Sequence, residues 1–349
     1  DGSIYTITHW SQLFGLFNIG YLRTTEIGPD GTIINPQMDN TYFNSSDGSL
    51  FGPGPDAYDP DTVKVSDTIT AVAFTSADGG GQGILHTVNV DSSGTVINDG
   101  FEQSLVFEAV QCSQPDLIHV SGDIYAIVYT GPDGDGYIKT VSIDGSTGAM
   151  TLTGSVLEFD TANGLEPSIV KVGDGLFAVA YRGSGNNGDM KSLSIDAAGV
   201  ITELDGLSGG FDNNCYEPAL IAIDSTTLAV AYSGSGSDGW LKTITIDASG
   251  MLSLTGSELE FDNNYGNEPD MVYMGADIYA VAYQGPNNDG WLKTVSIDAA
   301  GALTYTGNSL EFDPADCYEP SIVQIDYDTA AIFYRGPSNQ GTLVTVGFQ

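Results

Sequence analysis

Five of the nine lysine and arginine residues fall at one recurring position: Arg23, Lys139, Lys191, Lys242 and Lys293. Each is followed by an acid directly before a proline, namely Asp59, Glu166, Glu217, Glu268 and Glu319. Cations and carboxylates at a fixed spacing can pass a proton as catalytic acid/base pairs, or lock two elements together as buried ion pairs. Recurrence argues for the second, because an active site rarely occurs identically several times in one chain. In Trp291-Leu292-Lys293-Thr294-Val295-Ser296-Ile297 the lysine alternates with apolar residues on one strand face, where a charge needs a partner. The position is neutral at His86, and the next pre-proline residue is then Gln114. Charge on one repeat thus tracks charge on its successor. The expected pairs are Arg23–Asp59, Lys139–Glu166, Lys191–Glu217, Lys242–Glu268 and Lys293–Glu319, each joining one repeat to the next.

The elements that must position these residues are four short strands. Glu-Pro opens an apolar strand, and a second follows, such as Ile278-Tyr279-Ala280-Val281-Ala282-Tyr283. A Gly/Asp/Asn turn leads to the lysine strand, and a tight turn leads to a fourth strand ending in Phe-Asp. The marker prolines 60, 115, 167, 218, 269 and 320 are separated by 55, 52, 51, 51 and 51 residues. Such a period filled with strands predicts an all-β fold, a seven-bladed β-propeller of four-stranded antiparallel blades. One domain spans residues 1–349: blade 1 over 1–38, a long crossover over 39–58, then blades at 59–113, 114–165, 166–216, 217–267, 268–318 and 319–349. Within blade 1, Ser3–Ile7, Leu13–Gly20 and Tyr21–Thr24 align with the first, second and third strands of the other repeats. The last blade holds three strands, leaving an open edge able to accept a fourth.

Forty-six acids against nine cations give a formal charge of -37, which opposes nucleic acid and anionic membrane surfaces as partners. The apolar runs are too short to span a bilayer, so no membrane insertion is expected. A start at Asp1 fits a processed secreted protein or an excised domain. Cys112, Cys215 and Cys317 occupy one place on alternate blades, too far apart for disulfides, so free thiols are expected.

Other features compete with ordinary structure. Calcium is a candidate cofactor, with Asp133 and Asp135 in Asp133-Gly134-Asp135-Gly136 as its ligands, although tight turns demand the same residues. Tyr137, Trp240 and Trp291 share the lysine's face and are expected to pack between blades. Tyr42, Phe43, Phe51 and Tyr58 in the long crossover are candidates for contact with a partner. His9, His86 and His119 fall on different blades, so they suggest no serine-type triad, and no catalytic residue is assigned. The chain also lacks the Ser-x-Asp-x-Gly-x-Thr-Trp boxes and arginine triad of sialidase-type propellers.

The Glu-Pro, Tyr-Ala-Val-Ala-Tyr-x-Gly and Asp-Gly-x-Leu-Lys-Thr segments of residues 59–349 resemble repeats of uncharacterised secreted or surface β-propeller proteins of archaea and bacteria. That resemblance implies a propeller and an extracellular or cell-surface location. The expectation is a non-enzymatic module for adhesion, surface display or self-assembly, with protein subunits or surface glycans as partners and strand addition at blade 7. The alternative is a carbohydrate-binding or carbohydrate-active propeller, a glycosidase or lyase, with a central acidic site.

Overall fold

The computed structural model describes residues 3–13, 17–43, 57–77 and 80–348. The fold is an all-β, seven-bladed β-propeller whose strands are joined antiparallel in chain order within seven sheets. Blades 2 to 6 have four strands each, and blade 7 has three, Tyr318–Asp326, Thr329–Gly336 and Gln340–Gly347. Two compact units divide the chain: residues 1–165 with 195–201, and residues 166–194 with 202–349.

Blade 1 departs from the alignment expected of it. Ser3–Leu13 is one continuous strand paired directly with Phe17–Ile27, Ile7 lying opposite Arg23. In other blades the residue opposite the cation belongs to the second strand, as Val281 does for Lys293. Ser3–Leu13 therefore takes the second-strand place, and Ile33–Phe43, which runs beyond residue 38, takes the fourth. The blade 1 sheet is consequently three-stranded among the described residues.

The second strands explain the packing. In Thr227–Ser233, Leu228, Val230 and Tyr232 cluster with Ala178 and Ala180 of blade 4. Ala229 and Ala231, on the opposite face, cluster with Val281 and Tyr283 of blade 6. Ala71 and Ala73 of blade 2 meet Tyr125, Ile127 and Tyr129 of blade 3 in the same way. In blades 2, 4, 5 and 6 an alanine face thus meets the bulky face of the following blade, so large side chains fill the space that small ones leave. Burying each such Tyr, Val or Leu contributes about 1.5–3 kcal/mol.

Cross-strand partners share a face, and this sends the Lys-Thr dipeptide in two directions. Lys242 lies opposite Val230 on the bulky face, whereas Thr243 lies opposite Ala229. The threonine accordingly reaches forward, donating from Oγ1 to the carbonyl of Gly301 in the next blade at 2.7 Å. Thr24 to Gly94, Thr87 to Gly148, Thr140 to Gly199 and Ser192 to Gly250 repeat this bond. Thr24 confirms Tyr21–Thr24 as third-strand residues. Thr243→Val should cost about 1–3 kcal/mol, the range for orphaning a buried carbonyl, in urea unfolding of the variant against the parent.

Candidate carboxylate site

Three of the five cations turn backward, contrary to the expected direction. Lys139 donates to Glu108 Oε2 at 2.9 Å and to the Phe107 carbonyl at 2.7 Å, both on blade 2. Lys242 reaches Asp212 and the Phe211 carbonyl, and Lys293 reaches Asp262 and the Phe261 carbonyl. Lys191 pairs within its own blade, with Glu203. Arg23 lies over the ring of Tyr21, while Asp59 accepts the backbone N–H of Gln114. Lys139–Glu166, Lys191–Glu217, Lys242–Glu268 and Lys293–Glu319 are therefore corrected as pairs. The side-chain period located the buried cation, but the face it shares with the bulky residues meets the preceding blade rather than the following one. His86 at the equivalent place is neutral, its pKa lowered to about 4 by burial.

Released from those lysines, the pre-proline acids of the second unit form a row of their own. Glu166, Glu217, Glu268 and Glu319 have φ of 52°, 52°, 49° and 51°, in the left-handed region that residues with a side chain seldom occupy. Each of the last three sits at a break in strand register, between Tyr216 and Ala219, Asn267 and Asp270, or Tyr318 and Ser321. The proline has no N–H to lose from the ladder, and the bulge re-aims the acid. Glu217 donates its backbone N–H to Glu166 Oε2 at 2.8 Å, Glu268 donates to Glu217 Oε2 at 2.8 Å, and Glu319 donates to Glu268 Oε2 at 2.6 Å. Charge-assisted bonds of this kind offset the backbone strain. Two residues beyond Glu268, Asp270 Oδ2 accepts the N–H of Ile322 at 2.8 Å, adding a second rung.

The ends of the row differ from its middle. Arg182 grips Glu166 with Nη2 at 2.6 Å and Nε at 3.0 Å, donates to Asn186, and lies over the Tyr216 ring. Arg335 donates to Asn339 at 2.9 Å, approaches Glu319 at 3.5 Å and lies over Tyr318. In the two middle blades the arginine position holds Ser233, bonded to Asn267, and Gln284, bonded to the Cys317 carbonyl. Glu217 and Glu268 therefore have no arginine on their own blades.

Their protonation follows. Burial, with the charges of Glu166 and Glu319, raises the Glu217 carboxyl against the Glu268 N–H and Arg182. Burial raises Glu268 from its ordinary 4.5 to about 7, the Glu319 N–H opposing and the neighbouring carboxylates of Glu217 and Glu319 adding to the rise. The folded protein thus holds this proton more tightly than the unfolded chain does. Its contribution to stability is full below pH 4.5 and is lost as pH rises to about 7. Asp262 behaves oppositely: burial raises its pKa, but bonds from Lys293, Tyr283 and backbone N–H groups outweigh it, so its contribution is lost in acid. Glu268→Gln should flatten the decline in unfolding free energy between pH 5 and 7, measured by denaturant titration at several pH values.

The remaining candidates resolve as follows. Asp133 and Asp135 flank a turn closed by backbone bonds, including Gly131 N–H to the Asp135 carbonyl at 2.8 Å. Among the described residues no group of three or more His, Cys, Asp or Glu side chains is placed to hold a metal. The three cysteines are buried free thiols, their pKa values pushed well above the usual range by burial, which makes them poor nucleophiles. The Trp240 and Trp291 rings cover Gly234 and Gly285 and join the clusters between blades. Tyr42 and Phe43 belong to the fourth strand of blade 1, Tyr58 is half-buried in the first strand of blade 2, and Phe51 lies outside the described residues. Among the described residues no helix is long and apolar enough to cross a membrane.

No protein-family model and no curated protein matches the chain. Solved structures do. A periplasmic gluconolactonase, PpgL, from Pseudomonas aeruginosa is similar with a TM-score of 0.63 at 15% identity, covering 99% of this chain and 97% of that one. A putative 6-phosphogluconolactonase from Bacteroides fragilis gives 0.63 at 15% identity over 90% and 82% of the two chains. The WD40 domain of Toxoplasma gondii coronin gives 0.61 at 9% identity over 100% and 87%. At these identities the likeness is one of fold. It nonetheless corrects the expectation of a non-enzymatic module for adhesion, display or self-assembly, since two of these three structures bear the names of lactonases. What the chain shares with this set of structures is the β-propeller architecture.

Proposed function

We propose that the chain is a hydrolase acting on sugars, with sugar lactones as its first candidate substrates and Glu217 and Glu268 as its acid/base pair. The observation that carries this reading is the contrast along the row: the outer carboxylates are held by arginines, and the inner two are raised toward neutrality. Perturbed carboxyl groups of this kind are suited to proton transfer at ordinary pH. The names of two similar folds support the choice of lactones.

In the proposed reaction Glu217, as carboxylate, takes a proton from water while the water oxygen adds to the lactone carbonyl carbon. Collapse of the tetrahedral adduct breaks the bond to the ring oxygen, and Glu268, as carboxylic acid, supplies the proton that the departing alkoxide needs. The two residues end with exchanged protonation states, and proton exchange with solvent restores them. Acid release from neutral 1,5- and 1,4-sugar lactones, followed with a pH indicator beside a panel of aryl glycosides, tests the reading. Turnover above the buffer rate that falls in both Glu217→Gln and Glu268→Gln supports it. A folded protein inert on every substrate, or equally active in both variants, refutes it. Cleavage confined to aryl glycosides would transfer the same pair to glycosidic bonds.

A further inference from the structure

We infer that the carboxylate row selects uncharged sugars and rejects phosphorylated or otherwise anionic ones, an inference that rests on the hydrolase reading of the same site. With Glu268 protonated, as the proposed reaction requires, three carboxylates of the row stand against two guanidiniums, an excess of about one negative charge that grows to about two as Glu268 ionises. Both guanidiniums are already engaged, Arg182 by Glu166 and Asn186, Arg335 by Glu319 and Asn339.

The other cations of the second unit offer a phosphate nothing nearer. Lys191, Lys242 and Lys293 are held by Glu203, Asp212 and Asp262. Lys171 stands five residues beyond Glu166 in Leu165–Gly173, about 16 Å along an extended strand. A phosphate entering here would meet carboxylates with no uncommitted guanidinium to receive it, and the chain's charge of -37 adds a repulsive field at longer range. An uncharged polyol meets no such barrier, and its hydroxyls can donate to the carboxylate acceptors.

The same charge bears on product release. Hydrolysis converts a neutral lactone into a carboxylate, which the row repels, so the product should leave readily and inhibit weakly.

Two measurements test this. The first compares kcat/KM for D-glucono-1,5-lactone and its 6-phosphate at low and high ionic strength, in the parent and in Glu319→Gln, whose side chain is about half exposed. The neutral lactone should be preferred about tenfold or more at low salt, with the ratio narrowing as salt is added and in the variant. The second compares ligand-observed NMR binding of D-glucose and D-glucose 6-phosphate, with no catalysis involved. Equal or better use or binding of the phosphorylated sugar would overturn the inference, as would a preference indifferent to both salt and Glu319. Binding of glucose but not its phosphate, without turnover of either lactone, would uphold the charge selection and strike only the hydrolytic reading. Binding of neither sugar would overturn both.

Discussion

Glu268→Gln is expected to lower kcat on a neutral sugar lactone by about 10²- to 10⁴-fold, the usual contribution of a positioned general acid. The amide keeps the carboxyl's shape, and its oxygen can still accept the Glu319 N–H that Glu268 accepts at 2.6 Å. Fold and row geometry should therefore survive, while the transferable proton is gone. In the parent, activity should fall as pH rises above about 7, where Glu268 ionises, and that alkaline limb should be missing from the variant's residual rate. Glu217→Gln should instead remove the acid limb, because Glu217 must be ionised to accept a proton. Swapped limbs would reverse the two roles. A loss in Glu268→Gln accompanied by loss of the parent's folded circular-dichroism spectrum at the assay pH would mark the residue as structural.

Lys293→Ala is expected to destabilise the fold by about 3–5 kcal/mol, the range for breaking a buried pair by removing one partner. Both side chains are largely buried, at 16% and 13% exposure for Lys293 and Asp262. Loss of the ammonium strands Asp262 beside the Tyr283 hydroxyl and also leaves the Phe261 carbonyl without its donor. The Lys242 pair should respond less, since its partner Asp212 is 28% exposed and water can replace the lost cation. Denaturant unfolding of Lys293→Ala, Asp262→Ala and the double variant would give the coupling energy. Additive losses would show that the pair does not couple blade 6 to blade 5. Coupling of Lys293 to Glu319 in a parallel cycle would restore the forward direction rejected above.

Local chemistry was legible in the chain. The 51-residue period, the four strands of blades 2 to 6 and the short final blade follow from alternation and turn residues, because strand formation and turn type depend on neighbours a few residues away. The turn aspartates illustrate it: Asp247 accepts the N–H groups of Ser249 and Met251, so its abundance reflects turn closure rather than a calcium loop. Blade 1 was misread because Leu13–Gly20 matches a second strand in composition, whereas register is settled by which residues pair. The signal for the middle of the carboxylate row was present at the arginine position, which reads Arg182, Ser233, Gln284, Arg335, but it had no meaning until the glutamates were known to touch one another.

What the amino-acid order determined by itself is the strands, turns and alternating faces of blades 2 to 7. Which neighbour each face meets was left to the tertiary structure, since a period of two specifies alternation but carries no sign for forward or backward. That sign sends Lys293 to Asp262 and Thr243 to Gly301. The left-handed turn at each Glu-Pro, which the preceding-residue preference for extended backbone would not suggest, is likewise a product of packing, and it brings Glu217 and Glu268 into one row.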